Sequence, residues 1–117
     1  IGGSISPGME MRFKSLNAFT AKLPIVKFDA KTTGWNFPLI GYDTDTNILS
    51  GIVLGMASEI DGIVNEYKEK FSNFNAVLTG GDSGNFEGHL KNKIFADPWL
   101  ILKGLYSISE YNHGVKK

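Results

Sequence analysis

Two glycine pairs, one threonine and two isolated histidines are the residues of this chain whose types and spacing could do chemistry. The pairs are Gly2-Gly3, following Ile1, and Gly80-Gly81, within Thr79-Gly80-Gly81-Asp82. A glycine pair at the carboxyl end of a strand lets backbone approach a ligand, often a nucleotide in the crevice of an α/β sheet. A plain tight turn that needs positive φ calls for the same residues. Neither pair fits the G-x-x-x-x-G-K-[ST] phosphate loop or G-x-G-x-x-G, so a nucleotide bound here would use another scaffold. Gly81-Asp82-Ser83-Gly84 matches the four residues around a protease nucleophile, but His89 and His113 have no triad context. Those two histidines are also too few and too isolated for a metal centre. Thr44 stands where its hydroxyl either caps a helix or points at a ligand. Asp43, Asp45 and Asp82 read as cap, cap and turn residues, and no carboxylate pair suggests acid–base work.

The element that must position these groups runs from Asp43 to Phe71. Leu49, Ile52, Val53, Met56, Ile60, Ile63, Val64, Tyr67 and Phe71 recur at three- and four-residue steps, the signature of one buried helical face. Asp43 and Thr44 are good N-cap types, and Asp43 and Asp45 place negative charge at the positive end of the helix dipole. Gly51 and Gly55, one turn apart, and Gly62 leave a flank without side chains, against which another backbone is expected to pack. Before this helix, residues 1–8 read as a strand end and turn. Ser6 and Pro7 fit the N-cap and first turn of a helix carrying Met9, Phe13, Leu16 and Phe19 or Thr20 to about Ala21. Leu23-Pro24 stops it. Ile25, Val26 and Phe28 suggest a strand or extended arm, and 30–41 a loop. After the central helix, 74–79 reads as a buried strand broken at Gly80-Gly81, and 85–92 as a short helix with Phe86 and Leu90 inward. A short strand at 94–96 follows. Asp97-Pro98 opens a final helix with Leu100, Ile101, Leu105, Ile108 and Tyr111 as its stripe and Gly114 at its end. Strands alternating with helices imply an α/β layer arrangement.

The 117 residues suit one domain, and 42% hydrophobic with 21% charged residues describes a globular chain. Twelve basic residues balance twelve acidic ones, so nothing argues for nucleic acid or an anionic membrane as partner. The absence of cysteine excludes disulfides and thiolate zinc sites and points to a reducing cytoplasm. No uninterrupted apolar run reaches the ~20 residues of a membrane span. An opening Ile-Gly-Gly and a sheet of few strands lead us to expect a piece of a longer protein.

Taken in order, the motifs resemble those of the type III pantothenate kinases. G-G-x-I-x-P-G appears as Gly2 to Gly8, followed by Met11-Arg12, and T-A-x-L-P as Thr20 to Pro24. G-x-N-T appears as Gly41-Tyr42-Asp43-Thr44, with Asp where Asn is usual. Ser50-Gly51 is the S-G element, Thr79 to Asp82 is T-G-G-D, and Asp97 to Leu105 matches D-P-x-L-x-L-x-G-L. The resemblance implies the C-terminal half of an actin-like, ribonuclease-H-like ATPase fold, with a small mixed sheet and a long central helix. Residues 1–117 would form one C-terminal domain of a two-domain kinase whose N-terminal half lies elsewhere. It implies transfer of the ATP γ-phosphoryl group to the primary hydroxyl of pantothenate, the first step of coenzyme A synthesis. A divalent cation (Mg2+) with the nucleotide, a monovalent cation (K+ or NH4+) and a cytoplasmic homodimer come with it. Thr44 would reach pantothenate held chiefly by the partner subunit, and Gly2, Gly3, Gly80 and Gly81 would lie on the nucleotide side. The family's phosphate-binding loop, its G-A-D-R element with the catalytic aspartate and its D-x-G-T motif precede the matched region. No catalytic or metal-binding residue is therefore expected in this chain, and alone it should be inactive. Non-catalytic accessory relatives of the same fold, another actin-like kinase such as a sugar kinase, and a bare dimerisation module are the competing readings.

Overall fold

The computed structural model describes residues 2–100, with Gly104 and Ser107. Its main element is a 27-residue helix, Thr44–Lys70, built from α2 (Thr44–Leu49), a π-helical turn (Ser50–Leu54) and α3 (Gly55–Lys70). The ends fall where the sequence signals place them. Asp43 is the N-cap, and the Phe71 N–H closes the last turn on the Tyr67 carbonyl at 2.8 Å. The buried positions differ from the expected set. Ile48, Ile52, Val53 and Ala57 face the core, and the five-residue steps from Ile48 to Val53 and from Ile52 to Ala57 follow from the widened turn. Ile63, Tyr67 and Phe71, expected inside, are about half exposed because no described residue covers them.

Helix α1 (Met9–Ala18) buries Met9 and Phe13 and packs on the π-helical turn. Its N-cap is Gly8, without a side-chain cap bond. The expected cap, Ser6, instead donates its hydroxyl to Glu59 Oε1 at 2.5 Å, so the helix starts two residues later. Its end is tied by Thr20 and Asn17. Thr20 Oγ1 donates to the Leu16 carbonyl and accepts from Leu23 N, while Asn17 Nδ2 donates to the Leu23 carbonyl at 2.8 Å. The chain then runs through 23–29 without regular secondary structure, and the expected strand at Ile25 to Phe28 does not form. Phe28 is buried in an aromatic cluster, edge-on to Trp35 at 5.7 Å and to Phe37 at 5.8 Å.

Among the described residues the sheet is smaller than the sequence suggests. Among the described residues, β1 (Val77–Leu78) pairs with β2 (Phe95–Ala96) in the register Val77 to Phe95 and Leu78 to Ala96. A parallel pair needs a crossover, and residues 79–94 supply it, including α4 (Ser83–Phe86). The expected helix at 85–92 thus shifts forward and shortens; Gly88 adopts φ +79°, breaking it. Residues 2–8 form no strand, since no described strand lies beside them to complete a ladder. Asp97, expected to cap the final helix, precedes a turn at Pro98 and Trp99, its carboxylate accepting from Trp99 N at 3.1 Å. The remainder of that final helix, with His113, lies outside the described residues.

By length and composition Thr44–Lys70 is apolar enough to cross a membrane, with an 18-residue window of mean hydropathy 1.4. Counting uninterrupted apolar residues overlooks it because glycine, serine and threonine punctuate the run. Its buried face is nevertheless the core of the domain: Ile48, Ile52, Val53 and Ala57 pack with Met9, Phe13, Phe28 and Phe86.

Candidate functional site

The first turn of the long helix is built from one reciprocal bond set. Asp43 Oδ1 accepts from Thr46 N at 2.8 Å and from Thr46 Oγ1 at 2.6 Å, while Thr46 Oγ1 accepts from Asp43 N at 3.1 Å and Tyr42 N at 2.9 Å. This is a capping box, with threonine in place of the usual Glu or Gln. The Thr46 hydroxyl and amide hold the Asp43 carboxyl below its ordinary value, so the charge at this position is spent on the helix. Thr44 therefore has no capping duty. Its side chain is exposed and makes no hydrogen bond among the described residues.

Gly41 belongs to the same turn and could be nothing else. A Cβ there would lie 2.5 Å from Asn47 N and 2.7 Å from Asn47 Cα, so the incoming chain lies directly on the helix. Ser50, the first residue of the π-helical turn, donates its hydroxyl to the Leu39 carbonyl and pins the other side of the loop. Such turns often occur at functional sites. Thr44, Asn47, Gly51, Leu16, Leu23 and Ile52 line an open, mainly apolar groove of 450 Å³ with Ile48 at its base. Asn47, one turn after Thr44, also has a carboxamide without a bonded partner among the described residues. The sequence reading missed Asn47, because only the close approach of Gly41 reveals where its side chain lies.

The two glycine pairs lie in different clefts. Gly80 takes φ +98°, a backbone state that favours glycine. The turn then closes with Ser83 Oγ donating to the Gly80 carbonyl at 2.9 Å. Ser83 is buried and bonded in this way, an arrangement unlike an exposed nucleophile. Gly81 and Asp82 face a cleft shared with Phe28, Asp29, Lys31 and Pro98. Asn85 holds the loop over this turn, accepting from Ala30 N at 2.9 Å through Oδ1 and from Trp35 Nε1 at 3.0 Å through its carbonyl. Trp35 in turn stacks on His89 at 4.5 Å. Gly2, by contrast, lies at the far end of α3 beside Glu66, Tyr67 and Phe71, and both Gly2 and Gly3 are exposed. The open flank at Gly51, Gly55 and Gly62 meets no backbone among the described residues, where a Cβ at each would touch nothing within 4 Å.

Two polar clusters whose pairings the sequence does not announce hold these parts in place. Glu59 accepts from Ser6 and from Arg12 Nη2 at 2.6 Å, and Arg12 Nε donates to the Pro7 carbonyl at 2.8 Å. Residues 6 to 12 are thereby fastened to α3. The Ser6 and Arg12 bonds hold the Glu59 carboxyl below its ordinary value. Asp61 is buried, which opposes its charge, but the amides of Lys91 and Asn92 and the Asn92 carboxamide outweigh burial and lower its value. Asn92 also bonds Asn65 and Lys68. Among the described residues, no group of three or more His, Cys, Asp or Glu side chains could hold a metal ion.

These elements define an α/β domain in which a capped helix and a glycine turn at a strand end carry the candidate binding groups. The model of the type III pantothenate kinase family matches residues 1–66. A type III pantothenate kinase of Christiangramia forsetii is 46% identical over 112 residues, covering 96% of this chain and 44% of the relative. Those of Cytophaga hutchinsonii and Phocaeicola vulgatus are 46% and 44% identical over 111 residues, covering 95% of this chain. The chain belongs to the type III pantothenate kinase family. It spans less than half the length of these curated relatives, 44–45%.

Proposed function

We propose that this chain is the C-terminal domain of a longer pantothenate kinase with an actin-like ATPase fold. The whole enzyme passes the γ-phosphoryl group of ATP to the primary hydroxyl of pantothenate, giving 4'-phosphopantothenate and ADP. Identity near 46% sustained over 96% of the chain carries this reading. Phosphoryl transfer depends on positioned charge around the γ-phosphate, and this chain spans only 44% of the length of its Christiangramia forsetii relative. The catalytic carboxylate and phosphate-binding groups thus belong to the N-terminal half, and the isolated chain is inactive.

Within that reading, Thr44 supplies a hydroxyl to pantothenate held mainly by the partner subunit of a homodimer. Its exposure and freedom from capping support the role. The apolar groove beside it, with the Asn47 carboxamide, suits the aliphatic and amide portions of that substrate. Gly80 and Gly81 line the nucleotide side, whereas Gly2 lies in a separate cleft, and the open Gly51 and Gly55 flank suits the second subunit. ATP brings Mg2+, a monovalent cation (K+ or NH4+) assists, and the enzyme works in the cytoplasm without nucleic-acid or membrane partners. The test is a coupled ADP-release assay on the full-length protein, with and without pantothenate, this chain serving as control. Pantothenate-dependent turnover by the full-length protein alone is the expected result. No turnover by a folded dimer would overturn it in favour of a non-catalytic relative, and turnover by this chain alone would refute the assignment of catalysis to the other half.

A further inference from the structure

The groove at the first turn of the long helix holds two polar side chains that the fold leaves unused. Thr44 is one. Asn47 is the other, one turn on, and its carboxamide lines the same groove bonded to no described residue. Asparagine is a weaker helix former than alanine or leucine, and it is favoured where its amide makes a cap or turn bond. Here Asp43 and Thr46 already fill the cap, so Asn47 costs the helix stability and returns none. Its place is nonetheless fixed. A Cβ at Gly41 would run into the Asn47 side chain as well as its backbone, so the carboxamide is bounded by the incoming loop and opens to the groove.

The other walls limit what the groove can hold. Leu16, Leu23, Ile48 and Ile52 are apolar, and among the described residues no charged side chain lines it. The nearest charge is the Asp43 carboxylate, which Thr46 keeps below its ordinary value and so ionised. A ligand carboxylate would therefore find no cation here and a like charge close by. A branched aliphatic group joined to a secondary amide finds complementary surfaces instead. Its methyl groups meet the leucines and isoleucines. Its carbonyl and N–H meet one carboxamide, which donates through Nδ2 and accepts through Oδ1.

We propose that Asn47 reads the amide of pantothenate, a specificity-determining residue beside Thr44, and that the substrate's carboxylate lies outside this groove. This rests on the pantothenate kinase reading above. The test is Asn47→Ala in the full-length protein, with pantothenate and two analogues. Panthenol keeps the amide and carries an alcohol in place of the carboxylate. Neopentyl glycol keeps the dimethyl and primary hydroxyl groups and has no amide. Each is assayed as a substrate or, where it is not turned over, as a competitor of pantothenate. The KM for pantothenate should rise about tenfold, as for two lost hydrogen bonds, with an equal loss for panthenol. The constants for neopentyl glycol and ATP should stay unchanged, and Tm should not fall. Asn47→Leu, which keeps the outline of the side chain, should repeat the pattern and serves if the first variant misfolds. An unchanged pantothenate KM or an equal loss for neopentyl glycol would overturn the proposal. So would a defect that vanishes with panthenol, which would place the carboxylate here. A lowered Tm or a weakened dimer would overturn it too, by giving Asn47 a structural duty. No pantothenate turnover by the unaltered, folded protein refutes the kinase reading and this inference with it; turnover with unaltered specificity in the variants refutes this inference alone.

Discussion

The two ends of the Thr44–Lys70 helix are made of similar residues and end in different conditions. At the first end the chain supplies its own cover. Asp43 and Thr46 satisfy the leading amides, Gly41 lies directly on Asn47, Ser50 holds the Leu39 carbonyl, and Ile52 and Val53 are buried. At the other end the leading feature is an uncovered row of rings. A helix in a globular protein draws most of its stability from packing one face, so the second half depends on cover that the described residues do not contribute. The end that is closed on itself also presents the free hydroxyl and groove. A site needs its backbone fixed by the chain that carries it, and Thr44 has that support.

Changes at the two ends should separate these conditions. Phe71→Ala in the full-length protein has the largest expected effect, a loss of about 3 kcal/mol in urea unfolding, as for a buried aromatic. An exposed ring would give a change within about 0.5 kcal/mol, and that result would erase the contrast between the ends. Gly41→Ala should follow at about 2 kcal/mol, the cost of overpacking where Asn47 backbone cannot yield. Unaltered stability there would mean that the loop is not seated on the helix.

Asp61 marks the boundary between the two halves and gives a pH-dependent test. Its folded-state value lies below the ordinary 3.8, so the carboxylate stabilises the fold at pH above that value. The contribution is lost as pH falls below 3.8 and through the lower folded value. Asp61→Asn should cost about 1–2 kcal/mol at neutral pH, with the gap to the parent protein narrowing in acid. Urea midpoints taken at neutral and acid pH check this; a gap independent of pH would show that the charge itself contributes nothing.

The limits of the long helix were legible because chemistry marks them: an acidic cap before Thr44 and the end of the apolar period at Phe71. Its buried face was only half legible. The π-helical turn changes the step between core residues, and no single residue announces it. Asp61 could not be picked out, since its partners, the Lys91 and Asn92 amides, are 30 and 31 residues away. Strand lengths were overestimated for a related reason: apolar residues at 74–79 suit a strand, but a ladder forms only where a partner lies alongside. Of the site, the positions of interest were legible as motifs, but their geometry was not. Whether Thr44 caps the helix depends on Thr46 and Asp43 bonding each other, which a single sequence leaves open.

That same division of labour sets the smallest expected effect. Thr44→Val keeps the shape of the side chain and leaves the Asp43–Thr46 box intact, so helix and fold should survive. What disappears is one hydroxyl facing the groove. If it bonds pantothenate, its loss should weaken the apparent pantothenate affinity by about 1 kcal/mol, roughly fivefold in KM, with the KM for ATP unchanged. The two constants must be measured on the same preparation, with thermal unfolding as a check. Equal weakening of both substrates, or a lowered Tm, would mean that Thr44 supports the turn and touches no substrate. The closed end of the helix would then differ from the open one in stability alone.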